Sequence, residues 1–209
     1  MRNEKFVDEY IKSLEKSDGI ALDIGANHGI YTVLLADKFK TVHAFEPHPV
    51  NVEVVNKMVE DKDNVVIEQK VVGFEDGFSS LFINTRNHGG HTIMEDLADH
   101  GKWGHSEENL LEVQSVTLDT FCANKNINFI KCDIEGGEYE IFFYGDDTLK
   151  NNDLTIVLET HQVADLETDQ EDRDYLQRHF ESFGYTIYGI DGDPVSKMDY
   201  DTHYVIKKS

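Results

Sequence analysis

Ile20-Ala21-Leu22-Asp23-Ile24-Gly25-Ala26-Asn27-His28-Gly29 is the segment from which the rest of this 209-residue chain is read. A short apolar run closes on an acid, two glycines follow at close spacing, and a helical pattern then begins. A strand buried on both faces of a parallel sheet has this appearance, and it must turn sharply where it meets its helix. Gly25 and Gly29 permit that turn and let a ligand reach the backbone with no side chain in the way. The spacing is Asp-x-Gly-x-x-x-Gly, not the Gly-x-Gly-x-x-Gly of a dinucleotide fingerprint. Taken alone, the decapeptide also fits an ordinary glycine-rich strand-to-helix turn.

Outward from this turn the pattern repeats. Ile30, Val33, Leu34 and Phe39 fall at helical spacing, and Val42-His43-Ala44-Phe45 reads as a second strand closing on Glu46-Pro47. Proline cannot continue the ladder, so Glu46 is placed at that strand's carboxyl end. Residues 49–60 predict a helix and 64–72 a third strand, a βαβαβ rhythm that implies a parallel sheet with right-handed crossovers. Upstream, Phe6, Val7, Tyr10, Ile11 and Leu14 share one stripe, which predicts an amphipathic helix over 3–16 that packs on the sheet. After Gly73 the rhythm breaks. Strands at 78–84 and 111–116 flank a polar segment, 85–110, which carries His88, His91, His100 and His105 and is expected to act as a lid. Helices over 118–125, 136–144 and 171–183 then alternate with strands at 128–133 and 153–159, and strands at 185–190 and 202–207 close the chain. The expectation is an α/β fold formed by one domain over residues 1–209: a doubly wound, mostly parallel seven-stranded sheet with an antiparallel strand from the C-terminal hairpin.

The net charge of −22 bears on partners. A surface that acidic repels phosphate backbones and anionic lipid, so neither nucleic acid nor a membrane is expected as partner, and a neutral or cationic small molecule is. Cys122 and Cys132 form no Cys-x-x-Cys pair, which leaves Cys132 as a small hydrophobe inside an apolar run. No stretch reaches the ~18 apolar residues of a membrane helix, and the first residues lack a signal-peptide core. A cytoplasmic protein is the expectation.

The glycine turn is read as the nucleoside pocket of an S-adenosylmethionine (SAM) enzyme, and longer-range motifs narrow that reading. Leu22-Asp23-Ile24-Gly25-Ala26-Asn27, Phe45-Glu46-Pro47, Thr117-Leu118-Asp119 and Ile130-Lys131-Cys132-Asp133-Ile134-Glu135-Gly136-Gly137-Glu138 stand in this order, with a strand ending near Glu159. Over most of residues 20–161 the chain resembles class I SAM-dependent methyltransferases, and more narrowly the FkbM family. The Asp-x-Glu-Gly-x-Glu segment carries most of that specificity. The resemblance implies a Rossmann-like fold, SAM as cofactor, and O-methylation of a hydroxyl on a sugar or small natural product. Residues 85–110 match no motif of the family.

Ligands of open α/β sheets bind outside the carboxyl ends of the strands, and Asp23, Glu46, Asp133 and Glu159 all fall near such ends. Glu46 is expected to accept hydrogen bonds from both ribose hydroxyls, with Pro47 beside it. Gly25, Ala26, Asn27 and Gly29 supply the turn around the methionine moiety, Asp23 orders that turn or reaches the ammonium group through water, and Val72 walls the adenine. An alcohol acceptor must lose a proton, and Asp133, Glu159 and His161 are the candidates for that chemistry. Imidazole titrates near neutrality, which favours His161. The same three side chains could instead hold a magnesium or manganese ion. Glu135 stands at a helix start, where capping is the competing role. Two other classes stay in view: a nicotinamide-dependent oxidoreductase, which lacks its glycine fingerprint here, and a protein that binds SAM without turnover.

Overall fold

In the computed structural model, residues 2–84, 90–94, 110–162 and 166–208 are described. In chain order the strands are β1 (Ser17–Ile24), β2 (Phe39–Phe45), β3 (Val65–Glu68), β4 (Val71–Gly73), β5 (Gly77–Phe82), β6 (Leu110–Thr117), β7 (Ile127–Cys132), β8 (Thr155–Thr160), β9 (Tyr185–Tyr188) and β10 (Thr202–Lys208). The helices are α1 (Arg2–Ser13), α2 (Ile30–Ala36), α3 (Pro49–Met58), α4 (Leu118–Cys122), α5 (Glu138–Phe143), α6 (Asp146–Asn151) and α7 (Leu166–Ser182).

Seven strands form one sheet in the order β3-β2-β1-β7-β8-β10-β9. The first five of these run parallel, and β10 is antiparallel to both of its neighbours. β1 lies at the centre of the parallel part, which explains its apolar run. Successive side chains of a strand point to opposite faces. Leu22 and Ile24 join the larger core with Ile130, Ile141 and Phe180, while Ala21 packs on the other face with Val7, Ile11 and Phe129. The leading helix α1 therefore packs on the sheet. Among the described residues, no helix is long and apolar enough to cross a membrane.

The expected third strand at 64–72 is two strands in two sheets. Lys70 donates its amide to the Glu68 carbonyl at 2.8 Å, a tight local bond that ends β3 after four residues. β4 then leaves the main sheet and pairs parallel to β6, which pairs antiparallel to β5. The short helix α6 has no counterpart in the sequence reading. Of the expected lid at 85–110, residues 90–94 and 110 are described, and 85–89 and 95–109 lie outside the described residues. The described piece is tied down by a reciprocal bridge between Phe82 and Thr92.

Gly25 follows β1 directly and lies against the backbone just beyond β7. Its φ is +82°, and a Cβ there would stand 2.0 Å from the Asp133 carbonyl oxygen. Both the backbone conformation and the space demand glycine. Gly25→Ala is expected to lower stability in urea denaturation by more than about 2 kcal/mol, because the left-handed conformation alone costs ~1–2 kcal/mol before the clash is counted. A loss below that range would show that the turn can relax.

Candidate active site

The sheet order reverses between β1 and β7, and there the strand ends open onto a cavity of about 390 Å³. Gly25, Asn27, Glu46, Pro47 and Val72 line one half of it. Asp133 and Glu135, which follow β7, line the other half with Glu159 and His161 from the end of β8. Three of the expected residues sit behind the wall. Ala26 donates its amide to the Phe45 carbonyl, and Gly29 begins α2 in the left-handed conformation. Asp23 is wholly buried, accepts the Thr32 hydroxyl at 2.6 Å, and so ties β1 to the first turn of α2.

Glu46 is held by three donors. Its Oε2 accepts the Asn27 amide at 2.8 Å, and its Oε1 accepts the His48 amide at 2.9 Å and the Asn51 side chain at 3.3 Å. A carboxylate offers about four acceptor positions, so about one is left for a ligand hydroxyl. A second hydroxyl would have to compete with the Asn51 side chain, whose contact is the longest of the three. Burial pushes the Glu46 pKa up to about 7, against the three hydrogen bonds that favour its ionised form.

The opposite half is built on an unexpected cation. Lys131, in β7 and almost fully buried, donates to the Gly25 carbonyl at 3.1 Å. Its Nζ lies 3.6 Å from Asp23 Oδ1 and 3.5 Å from Asp133 Oδ2. Burial disfavours this charge, but the Asp133 and Asp23 carboxylates outweigh it and hold the ammonium above its usual range. Burial likewise works against the charge of Asp133, and Lys131 with His161 overcomes it, so Asp133 stays below the ordinary carboxylate range. Such a carboxylate is a poor proton acceptor.

His161 differs from the expectation in the same sense. Its Nδ1 is 2.6 Å from Glu138 Oε1, and its Nε2 faces Asp133 and Glu135, each at 3.8 Å. Burial disfavours the imidazolium, yet these three carboxylates push its pKa up to about 10. At neutral pH it is therefore a cation in this site, not a free base. Glu138, fully buried, also accepts the amides of Ile134 at 3.1 Å and Gly136 at 2.9 Å. Capping of this bend thus falls to Glu138 and not to Glu135. Glu159 lies 3.1 Å from His203 Nε2 on β10.

Lys131, Glu138 and His203 were not singled out from sequence. Glu138 had a signal, since it closes the Asp-x-Glu-Gly-x-Glu spacing. A lysine inside the apolar run Asn128–Cys132 was the signal for Lys131. His203 had none.

A family model for the methyltransferase FkbM domain matches residues 23–187. No curated protein sequence matches the chain. Among solved structures, the chain is similar to a methyltransferase FkbM from Methylobacillus flagellatus KT, at 18% identity and a TM-score of 0.55, covering 96% of this chain and 47% of that one. This chain thus spans about half the length of that relative. A protein of Streptococcus mutans in complex with S-adenosylhomocysteine (SAH) shares the fold at 10% identity and a TM-score of 0.52, over 99% and 96% of the two chains. Aeropyrum pernix fibrillarin with natively bound SAM does so at 10% identity and a TM-score of 0.50, over 97% and 74%.

Proposed function

This chain belongs to the FkbM methyltransferase family, a SAM-dependent methyltransferase by family and fold, and from that premise we propose that it methylates a hydroxyl of a sugar or other small natural product. The observation that carries the reading is Glu46. It stands at the end of the strand next to the glycine turn, its carboxylate is fixed by the Asn27 amide of that turn, and it faces a cavity large enough for a small ligand. The adenosyl half of SAM belongs on this side, with Gly25 and Asn27 against the methionine moiety and Val72 against the adenine.

Methyl transfer is an in-line displacement at an activated sulfonium, so most of its acceleration comes from holding acceptor and methyl at attack distance with water excluded. The acceptor then lies over β7 and β8, against Asp133, Glu159 and His161. Asp133 and the His161 imidazolium serve there as fixed charges and hydrogen-bond partners that orient the acceptor. The surface charge favours a neutral or cationic acceptor over an anionic one such as RNA.

The three side chains considered for a magnesium or manganese ion each offer a donor atom, all within 4.8 Å of one another. Protein groups already stand against each of them. Lys131 stands 3.5 Å from Asp133, His203 stands 3.1 Å from Glu159, and His161 carries a proton. Lys131 and the His161 imidazolium already place positive charge beside Asp133, so the proposed reaction is written without a metal.

Titration calorimetry with SAM and with SAH tests the reading directly. Both are expected to bind, and SAH is expected to appear when SAM is supplied with members of a panel of sugars and small hydroxylated natural products. Absence of binding by either nucleoside ends the proposal. Binding without turnover of any hydroxyl would leave a SAM-binding protein instead.

A further inference from the structure

An alcohol becomes a competent nucleophile only as its proton leaves. Several carboxylates stand in or beneath the acceptor half of the cavity, and most of them are engaged. Asp23 is held by Thr32 and Lys131, and Asp133 by Lys131. Glu138 is held by two amides and His161, and Glu159 by His203. Glu135 differs. Among the described residues its carboxylate accepts no hydrogen bond, and the His161 Nε2 opposite it is 3.8 Å away. It lines the cavity with about a third of its side chain exposed.

The backbone at Glu135 is strained. Its φ is +57°, an uncommon conformation for a residue with a side chain. Such strain persists only where the surroundings enforce it, and it collects at functional sites. Here three bonds enforce it. The Glu138 carboxylate accepts the amides on either side, those of Ile134 and Gly136, and the Thr92 hydroxyl donates to the Glu135 carbonyl at 2.9 Å. A buried acid thus does the capping, and Glu135 is turned out into the cavity.

We propose that Glu135 is the catalytic carboxylate that faces the transferred methyl and accepts the acceptor's proton, an assignment that rests on the methyltransferase reading above. As the acceptor oxygen bonds to the methyl carbon, the carbon–sulfur bond breaks and its electron pair stays on sulfur. The hydroxyl proton passes to Glu135, leaving the methyl ether, SAH and a neutral carboxyl that returns the proton to water.

Sinefungin tests this without an identified acceptor, because it carries a primary ammonium where the transferred methyl of SAM stands. The intact protein at pH 8 is expected to bind sinefungin about tenfold more tightly than SAH, as a charge-assisted contact with a facing carboxylate requires. Glu135→Gln is expected to bring the two affinities within about twofold while SAH binding and the melting temperature hold, since only the charged contact is lost. Wild-type protein that binds SAH without preferring sinefungin overturns the assignment. So does a preference that survives in Glu135→Gln, or one that Glu159→Gln abolishes instead. Failure of the wild type to bind SAH at all overturns the methyltransferase reading, and this assignment with it.

Discussion

Glu46→Ala should weaken SAM binding by about 1–3 kcal/mol, the range for a hydrogen bond to a charged group. Two losses combine. The ribose loses its acceptor, and the amides of Asn27 and His48 lose the carboxylate that fixes them, so the turn that must receive the methionine moiety is no longer preorganised. Glu46→Gln should do almost as badly, because its amide group can satisfy only part of a donor set built around a carboxylate. A pH dependence accompanies the effect. With a pKa near 7 in the free protein, Glu46 is partly protonated at neutral pH. A ribose hydroxyl that donates to it favours the ionised form, so cofactor binding must expel that proton. Affinity for SAH, which carries no sulfonium charge to act on Glu135, should then fall as pH drops below 7, by up to about tenfold per unit, and this slope should vanish in Glu46→Ala. Calorimetry between pH 6 and 8.5 measures both. Unchanged affinity in the alanine variant would place the nucleoside elsewhere.

Lys131→Met should destabilise the protein by about 3–5 kcal/mol, the cost of removing one partner of a buried ion pair. The ammonium neutralises Asp23, which has no exposure to water, and Asp133, and it ties the Gly25 carbonyl of the first turn to β7. Without it Asp23 is left in the interior with no compensating charge, and Asp133 keeps only His161, at 3.8 Å. Adding Asp23→Asn to Lys131→Met should recover part of the loss, because the more deeply buried of the two acids is then neutral. The double variant should remain defective in SAM binding, since the link to Gly25 is not restored. Urea denaturation of the two single variants and the double variant forms the cycle. A loss below about 1 kcal/mol in Lys131→Met would mean that water reaches the Asp133 side of this pair and screens it.

Much of this architecture is legible before any coordinates. The segment 20–24 shows its strand character, because a short apolar run that closes on an acid and a glycine turn fits a strand buried on both faces. The smaller sheet is not legible in the same way. β4 has three residues, too few to display a period of two, and the bend at Lys70 that separates it from β3 is a local hydrogen bond. Of the acids expected at the strand ends, Glu46, Asp133 and Glu159 line the cavity with His161, and Asp23 lies behind it. Their protonation was beyond reach. Asp133 and His161 look like free bases in a sequence, and only Lys131 and Glu138, placed by the fold, show both to be ionised. For Glu138 the decisive partner lies 23 residues along the chain. Glu135 was balanced between capping and chemistry until its neighbour was seen to take both amides.

The position of β10 has a bearing on how the molecule is made. It lies between β8 and β9, so β9 joins the sheet only through a strand that follows it in the chain. On a ribosome, β9 and the helix before it must wait, their sheet-facing side chains unshielded, until residues 202–208 have emerged. That makes this flank dependent on non-local pairing, the slow and aggregation-exposed kind. It also makes the contact of His203 with Glu159, a residue that lines the cavity, wait for β10.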